Sequence, residues 1–121
     1  MFKVFTIFII SIFLLLGCAK EQEKKVASEP TELEIATGIY AEALDSLKRG
    51  DAFYAAKKFK EVESLMPQSK WAARASILAS YADYSRNAYT DSIYGFQRHI
   101  KTYPADKNIP YAHYLIAICY Y

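Results

Sequence analysis

Two kinds of apolar patterning divide this chain. Val4–Leu16 is an almost continuous apolar run, broken only by Thr6 and Ser11 and preceded by one cation, Lys3. From Leu33 onward the apolar positions instead recur every three or four residues, as on one face of an α-helix. Between them, Ala19 to about Glu32 is rich in Lys and Glu, has no apolar period and carries Pro30, which predicts a linker. The periodic part divides at its Gly, Pro and capping residues. A first helix carries Ile35, Ile39, Tyr40, Ala43, Leu44 and Leu47; Gly50 stops it and Asp51 is placed to cap the next. The second carries Ala55, Ala56, Phe59, Val62 and Leu65 and ends before Met66-Pro67. Ser69 is the expected cap of a third, with Trp71, Ala75, Leu78, Tyr81, Ala82 and Tyr84, closing at Asn87. Thr90 is the expected cap of a fourth, with Ile93, Phe96 and Ile100, ending at Tyr103-Pro104. Pro110 suits the first turn of a fifth. No stretch sustains a period of two, so residues 33–121 read as all-α.

Two of the helix pairs are copies of one another. Gly50-Asp51-x₃-Ala55-x₃-Phe59-x₇-Pro67 aligns with Asn87-Ala88-x₃-Ser92-x₃-Phe96-x₇-Pro104 at an offset of 37 residues. The same offset places Ala43, Ser80 and Ala117 in register. Small residues at Ala43/Ala55 and Ser80/Ser92 allow the helices of a pair to approach closely, and Phe59 and Phe96 fill the space between pairs. This pattern resembles the tetratricopeptide repeat, a helix–turn–helix unit, with three extra residues in the turn between repeats. It implies a helical solenoid of about two and a half repeats. Asn87-Ala88 and Glu42 depart from the usual repeat, which has glycine and an apolar residue there. An unrelated helical bundle with evenly spaced prolines is the competing reading.

The apolar run has the length of a signal-peptide core and falls short of the roughly 20 residues a spanning helix needs. It ends in Leu15-Leu16-Gly17-Cys18, which resembles the lipobox of bacterial lipoproteins. That resemblance implies a signal peptide over 1–17, removed on maturation, and a lipidated Cys18 followed by the linker to residue 32. Cys18 would carry a diacylglycerol and an N-acyl chain (palmitate), and several acyl chains anchor stably where one does not. Ala19 follows the cysteine where an aspartate commonly retains diderm lipoproteins in the inner membrane, so the analogy places the chain on the periplasmic face of the outer membrane. An uncleaved signal anchor is the alternative.

Composition then narrows the possibilities. The 104 residues left after cleavage make one small domain. Lys3 is lost with the leader, leaving 14 of the 15 basic residues against 13 acidic, a balance with no footprint for nucleic acid. Of the two cysteines only Cys119 stays free once Cys18 carries lipid, so no intramolecular disulfide is expected; Cys119 reads as a buried, inert thiol. His99 and His113 are single histidines outside any catalytic constellation, and the chain has no CxxC, HExxH or glycine-rich phosphate loop. Lys57-Lys58-x-Lys60-Glu61-x-Glu63 reads as a solvated helix face with local ion pairs. No enzyme chemistry, metal or dissociable cofactor is expected.

The remaining signal is a stripe of tyrosines, 11 of which stand against 4 glycines. In each first helix the positions i, i+4, i+7 are apolar or aromatic: Tyr40, Leu44, Leu47; Ile77, Tyr81, Tyr84; Tyr114, Ile118, Tyr121. In tetratricopeptide arrays the first helices line a concave groove, which suits an extended peptide. The same stripe also suits ordinary core. Because the final run Leu115–Tyr121 is apolar where a solenoid needs a polar closing face, the sequence is expected to be part of a longer protein.

The order of leader, lipid cysteine, linker and repeats, together with Ile39-Tyr40-x₂-Ala43-x₃-Leu47-x₂-Gly50, Phe59-x₂-Val62-x₄-Pro67 and Pro104-x₃-Asn108-Ile109-x-Tyr111-x₂-Tyr114, resembles the BamD (ComL) family of outer-membrane β-barrel assembly lipoproteins. The resemblance implies a non-enzymatic subunit whose amino-terminal repeats receive unfolded outer-membrane proteins. Its partners would be the barrel-forming assembly subunit, the other lipoproteins of the complex and the membrane through its lipid. Two other readings share the anchor and the repeats. One is a periplasmic lipoprotein that scaffolds cell-envelope or peptidoglycan enzymes; the other is an adaptor for a catalytic domain beyond Tyr121.

Overall fold

The computed structural model describes residues 29–121, in which five helices follow one another and no strand is present among the described residues. They are α1 (Glu32–Lys48), α2 (Ala52–Leu65), α3 (Lys70–Ser85), α4 (Tyr89–Thr102) and α5 (Ile109–Cys119). Cys18, the apolar leader and the linker up to residue 28 lie outside the described residues. No helix among the described residues is long and apolar enough to cross a membrane.

Capping chemistry sets most of these boundaries. Thr31 accepts from the Glu34 backbone N–H while the Glu34 carboxylate accepts from Thr31 N–H, a reciprocal box that starts α1. That box holds the Glu34 carboxyl below its ordinary pKa. Asp51 accepts from Tyr54 N–H at 3.1 Å, and Ser69 from Ala72 N–H at 3.0 Å, as their sequence positions predict. The fourth helix departs from expectation: Ala88, not Thr90, is its N-cap, and no side chain caps it. The backbone of the first repeat dictates this. Gly50 (φ 88°) and Asn87 (φ 62°) both take the left-handed conformation, and Asp51 (φ −83°, ψ 68°) and Ala88 (φ −83°, ψ 63°) follow with nearly identical dihedrals. The turn is copied, but the capping carboxylate is not. Met66 and Tyr103, again 37 residues apart, close α2 and α4 with the same geometry (φ −129°, ψ 59° and φ −125°, ψ 60°).

Each helix packs on the next, and α1 also touches α3, so α1, α3 and α5 form one layer of the solenoid and α2 and α4 the other. Small residues set the spacing. Ala43, Ala55, Ser80 and Ser92 are all buried, and the Ser92 hydroxyl donates to the Ser80 carbonyl at 2.9 Å across the α3–α4 crossing. Phe59 and Phe96 are fully buried, one in each of the two main apolar clusters. Burial of such side chains contributes on the order of 2–3 kcal/mol each.

Two expectations change at α5. Ala117 is exposed, although Ala43 and Ser80 are buried, because no second helix packs on α5 among the described residues. Cys119 is half-buried, with its sulfur 3.7 Å from the Ser92 hydroxyl.

Candidate functional site

The layer formed by α1, α3 and α5 encloses a groove of about 350 Å³. Tyr40 contributes from α1, Arg74, Ile77, Leu78 and Tyr81 from α3, and Asn108 and Tyr111 from the start of α5. The aromatic side chains are fixed by their neighbours. The Tyr40 ring sits edge-on to Phe59 (5.5 Å between centroids) and to Trp71 (5.3 Å). Tyr81 lies 6.2 Å from Tyr84, which in turn lies 5.9 Å from Tyr89; Tyr111 stacks on Tyr114 at 6.5 Å. Burial pushes the Tyr40 and Tyr111 hydroxyls above their usual pKa, with the Arg74 charge opposing the shift at Tyr40 and the neighbouring tyrosines reinforcing it at Tyr111. These phenols therefore stay neutral donors across the physiological range.

Of the stripe read from the sequence, Tyr40, Ile77 and Tyr81 come together in this groove. Leu44 and Leu47 pack into the first apolar cluster instead, and Tyr84 leans on the second. Tyr114 (59% exposed) and Ile118 (38%) project from α5 at positions equivalent to Ile77 and Tyr81, and Tyr121, expected on the same helix, is exposed just past its end; in the preceding repeat α4 and α5 supply cover at these positions. The stripe is thus divided: Tyr40, Ile77 and Tyr81 line the groove while also touching the apolar clusters, and Leu44 and Leu47 are in packing alone. The sequence reading missed Arg74, Leu78, Asn108 and Tyr111. Arg74 and Tyr111 lie one turn before Ile77 and Tyr114, so extending the stripe by three residues toward each helix start finds them.

The opposite layer carries charge rather than aromatic surface. Glu63 accepts two hydrogen bonds from Arg98 (2.7 and 2.6 Å) and one from the Tyr103 hydroxyl (3.0 Å), tying α2 to α4. Burial, reinforced by Glu63, raises the Tyr103 pKa to about 12, and the Glu63 bonds raise that of Arg98. The buried Asp83 carboxylate accepts from Lys60 (3.2 Å) and from Arg86 Nε (3.0 Å). The Lys57–Glu63 run is therefore only partly a solvated face. Lys58–Glu61 is local, whereas Lys60 and Glu63 reach other helices.

The two histidines also part company. His113 is exposed, whereas His99 is fully buried with neither ring nitrogen hydrogen-bonded, its Nε2 3.9 Å from Asp106 and its ring 5.4 Å from that of Tyr103. One carboxylate, that of Asp106, therefore lies near His99 without a hydrogen bond to it. Burial lowers its pKa, with Asp106 and Glu63 opposing the shift and Arg98 adding to it. Its place in the repeat explains its burial: 37 residues earlier stands Val62, also fully buried. No cluster suited to holding a metal occurs among the described residues.

Comparison with known proteins agrees with this architecture. Residues 34–121 match the model of the YfiO family, described as outer membrane lipoprotein. The chain is similar to the outer membrane protein assembly factor BamD of Caulobacter vibrioides, 36% identical over 108 residues, covering 87% of this chain and 34% of that protein. It is likewise similar to BamD proteins from two strains of Xylella fastidiosa, 30% and 31% identical over 105 and 102 residues, which cover 87% and 84% of this chain and 34% of each relative. The chain thus spans about a third of the length of the curated relatives it matches. It belongs to the YfiO family of outer membrane lipoproteins.

Proposed function

We propose that this chain is the membrane-anchored, client-receiving portion of an outer-membrane β-barrel assembly machinery. It acts by binding, without catalysis. Cys18 carries the diacylglycerol and N-acyl chains that hold it at the periplasmic face of the outer membrane. The groove between α1, α3 and α5 receives an extended segment of an unfolded outer-membrane protein. The barrel-forming subunit and the other lipoproteins of the complex are its partners. The observation that carries this reading is the convergence of Tyr40, Ile77, Tyr81 and Tyr111 on one groove formed by the first helices of successive repeats. The names of the BamD relatives, assembly factors for outer membrane proteins, point the same way. Aromatic side chains at such sites combine large contact area with little conformational entropy to lose.

The test is a paired substitution of two residues that line the groove, Tyr81→Ala with Tyr111→Ala, in the full-length lipoprotein. Loss of two aromatic groove contacts is expected to weaken an aromatic-ended client peptide about 30-fold or more, the effect of a truncated hot spot. Unchanged affinity with the helical fold intact would assign these tyrosines to packing and remove the client-binding reading.

A further inference from the structure

Among the described residues, His99 is the one whose buried side-chain polar atoms lack any hydrogen-bond partner. Buried polar groups are nearly always bonded, so such an exception marks a group held for another purpose. The ring stands in the last turn of α4, where the helix dipole favours positive charge. Its Nε2 lies 3.9 Å from Asp106 Oδ1, just beyond a hydrogen bond. Two carboxylates act on the ring, and they differ in availability. Glu63 is held by Arg98 and Tyr103, whereas Asp106 meets no lysine or arginine among the described residues. The Asp106 oxygen that faces His99 also accepts from the Asn108 backbone N–H at 2.7 Å. Asn108 and Tyr111, at the start of α5, line the inner groove.

We infer that His99, Asp106 and Asn108 form a proton-operated latch, in which protonated His99 draws the Asp106 carboxylate inward and displaces the start of α5 with its groove residues. A proton from solvent, arriving past the half-buried Asp106, adds to the bare ring nitrogen and leaves an N–H on both. A charge-assisted bond of roughly 2.8 Å then takes the carboxylate about 1 Å toward the ring. The Asn108 N–H, tied to the same oxygen, either follows it or loses its bond. Both responses move the chain where it enters α5. Of the groups that face the ring, Asp106 in the turn and Glu63 on α2 favour the proton and Arg98 on α4 opposes it. The Tyr103 ring lies 5.4 Å away, and among the described residues α3 and α5 set no charge against His99. Burial outweighs the two carboxylates, so the latch closes below pH 6.5.

The test is a pH titration of the isotope-labelled full-length lipoprotein in detergent micelles, followed by NMR. The His99 ring signals are identified by their loss in His99→Gln. The Asn108 amide and Tyr111 ring signals are expected to move with the same midpoint as the His99 ring, below pH 6.5, while the spectrum keeps the dispersion of a folded chain. In Asp106→Asn the ring should bind its proton about 10-fold more weakly, the effect of removing a neighbouring opposite charge, and Asn108 should no longer follow it. In His99→Gln both signals should stay flat over the same range. Asn108 and Tyr111 signals that stand still while the ring titrates overturn the latch, and so does movement that persists in His99→Gln. A ring that stays neutral until the chain unfolds overturns it as well, and leaves His99 a packing residue that acid expels.

Discussion

Gly95→Ala is expected to loosen the second repeat, although the same change in an exposed helix strengthens it. Alanine in a helix interior is favoured over glycine by about 1 kcal/mol. At Gly95 in α4, however, an added Cβ would lie 2.4 Å from the Ser80 hydroxyl oxygen, 3.1 Å from Ser80 Cβ and 3.6 Å from its Cα. Ser80 is buried, and its hydroxyl donates to the Ser76 carbonyl at 3.0 Å, so turning it aside breaks a buried hydrogen bond. Rotation would not be enough in any case, since the Cβ–Cβ approach still forces the helices apart at the crossing that Ser92 pins to the Ser80 carbonyl. Overpacking of this kind costs roughly 1–3 kcal/mol, and the propensity gain of about 1 kcal/mol offsets part of it. The expected net loss is up to about 2 kcal/mol, which corresponds to a fall of up to roughly 8–16 °C in Tm for a domain of this size.

Urea unfolding followed by far-ultraviolet circular dichroism measures it, and Gly38 provides the internal control. Gly38 lies within α1, and a Cβ there would meet nothing within 4 Å. Gly38→Ala should therefore raise the unfolding free energy by up to about 1 kcal/mol while Gly95→Ala lowers it. A double-mutant cycle with Ser80→Ala isolates the clash, because removing the hydroxyl should restore about 1 kcal/mol of the Gly95→Ala loss. If the two glycine variants shift stability in the same direction, or if the cycle shows no coupling, the close approach of α3 and α4 at this point is wrong.

Two further outcomes follow from the same repeat. Ala88→Asp should stabilise the domain by about 1 kcal/mol, because Ala88 already holds the dihedrals from which Asp51 caps α2 and the new carboxylate would meet an uncapped helix start; thermal melting checks it. His99 should make the domain acid-sensitive. Its folded pKa is lowered from 6.5, so the unfolded chain binds the proton first, and stability falls as pH drops through about 6.5 and continues falling until the folded pKa is reached. Glu63 from α2, Arg98 from α4, and Tyr103 and Asp106 in the following turn are the charged and titratable groups around it. Unfolding midpoints between pH 7.5 and pH 5 should lose this slope in His99→Leu, and a slope that persists would show that another group carries it.

Much of the fold was legible because its boundaries are written in residues with strong local rules. Asp51, Ser69 and Pro110 stand where a cap or a first-turn proline belongs, and Met66-Pro67 and Tyr103-Pro104 stop helices by a steric conflict that needs no tertiary context. Thr90 misled because it is a good capping residue next to a position where the repeat, rather than the side chain, fixes the helix start. The groove was legible only in part. A stripe of period 3.6 says which residues share a face, so Tyr40, Ile77 and Tyr81 were found. It does not say where along the helix the neighbouring helices cover that face, and so it could not separate Leu44 and Leu47, which are packed, from Tyr114 and Ile118, which are not. Arg74 escaped because a cation on an apolar stripe reads as its edge. The Glu63–Arg98 pair escaped because its partners are 35 residues apart and only the stacking of repeats joins them.

The differences between the two repeats carry as much information as their likeness. At an offset of 37, the second copy puts Tyr103 for Met66, Gly95 for Lys58, Ala88 for Asp51 and His99 for Val62 on an almost unchanged backbone. The first two changes are matched by partners: the Tyr103 hydroxyl finds Glu63 of the preceding repeat, and Gly95 makes room for Ser80. The other two are not. Ala88 leaves α4 without a side-chain cap, and His99 brings two ring nitrogens into a core that gives neither a hydrogen bond. A buried polar group without a partner costs about 1–3 kcal/mol, and a missing cap about 1 kcal/mol. The second repeat is therefore held less by its own pairing than by its neighbours, through Glu63 on one side and the packing of Ala112 and Leu115 against Ile77 and Phe96 on the other. Tyr81 and Arg74 are rooted in that same repeat, so groove geometry and the packing of successive repeats are coupled, and substitutions that loosen α4 should reach the groove without touching it.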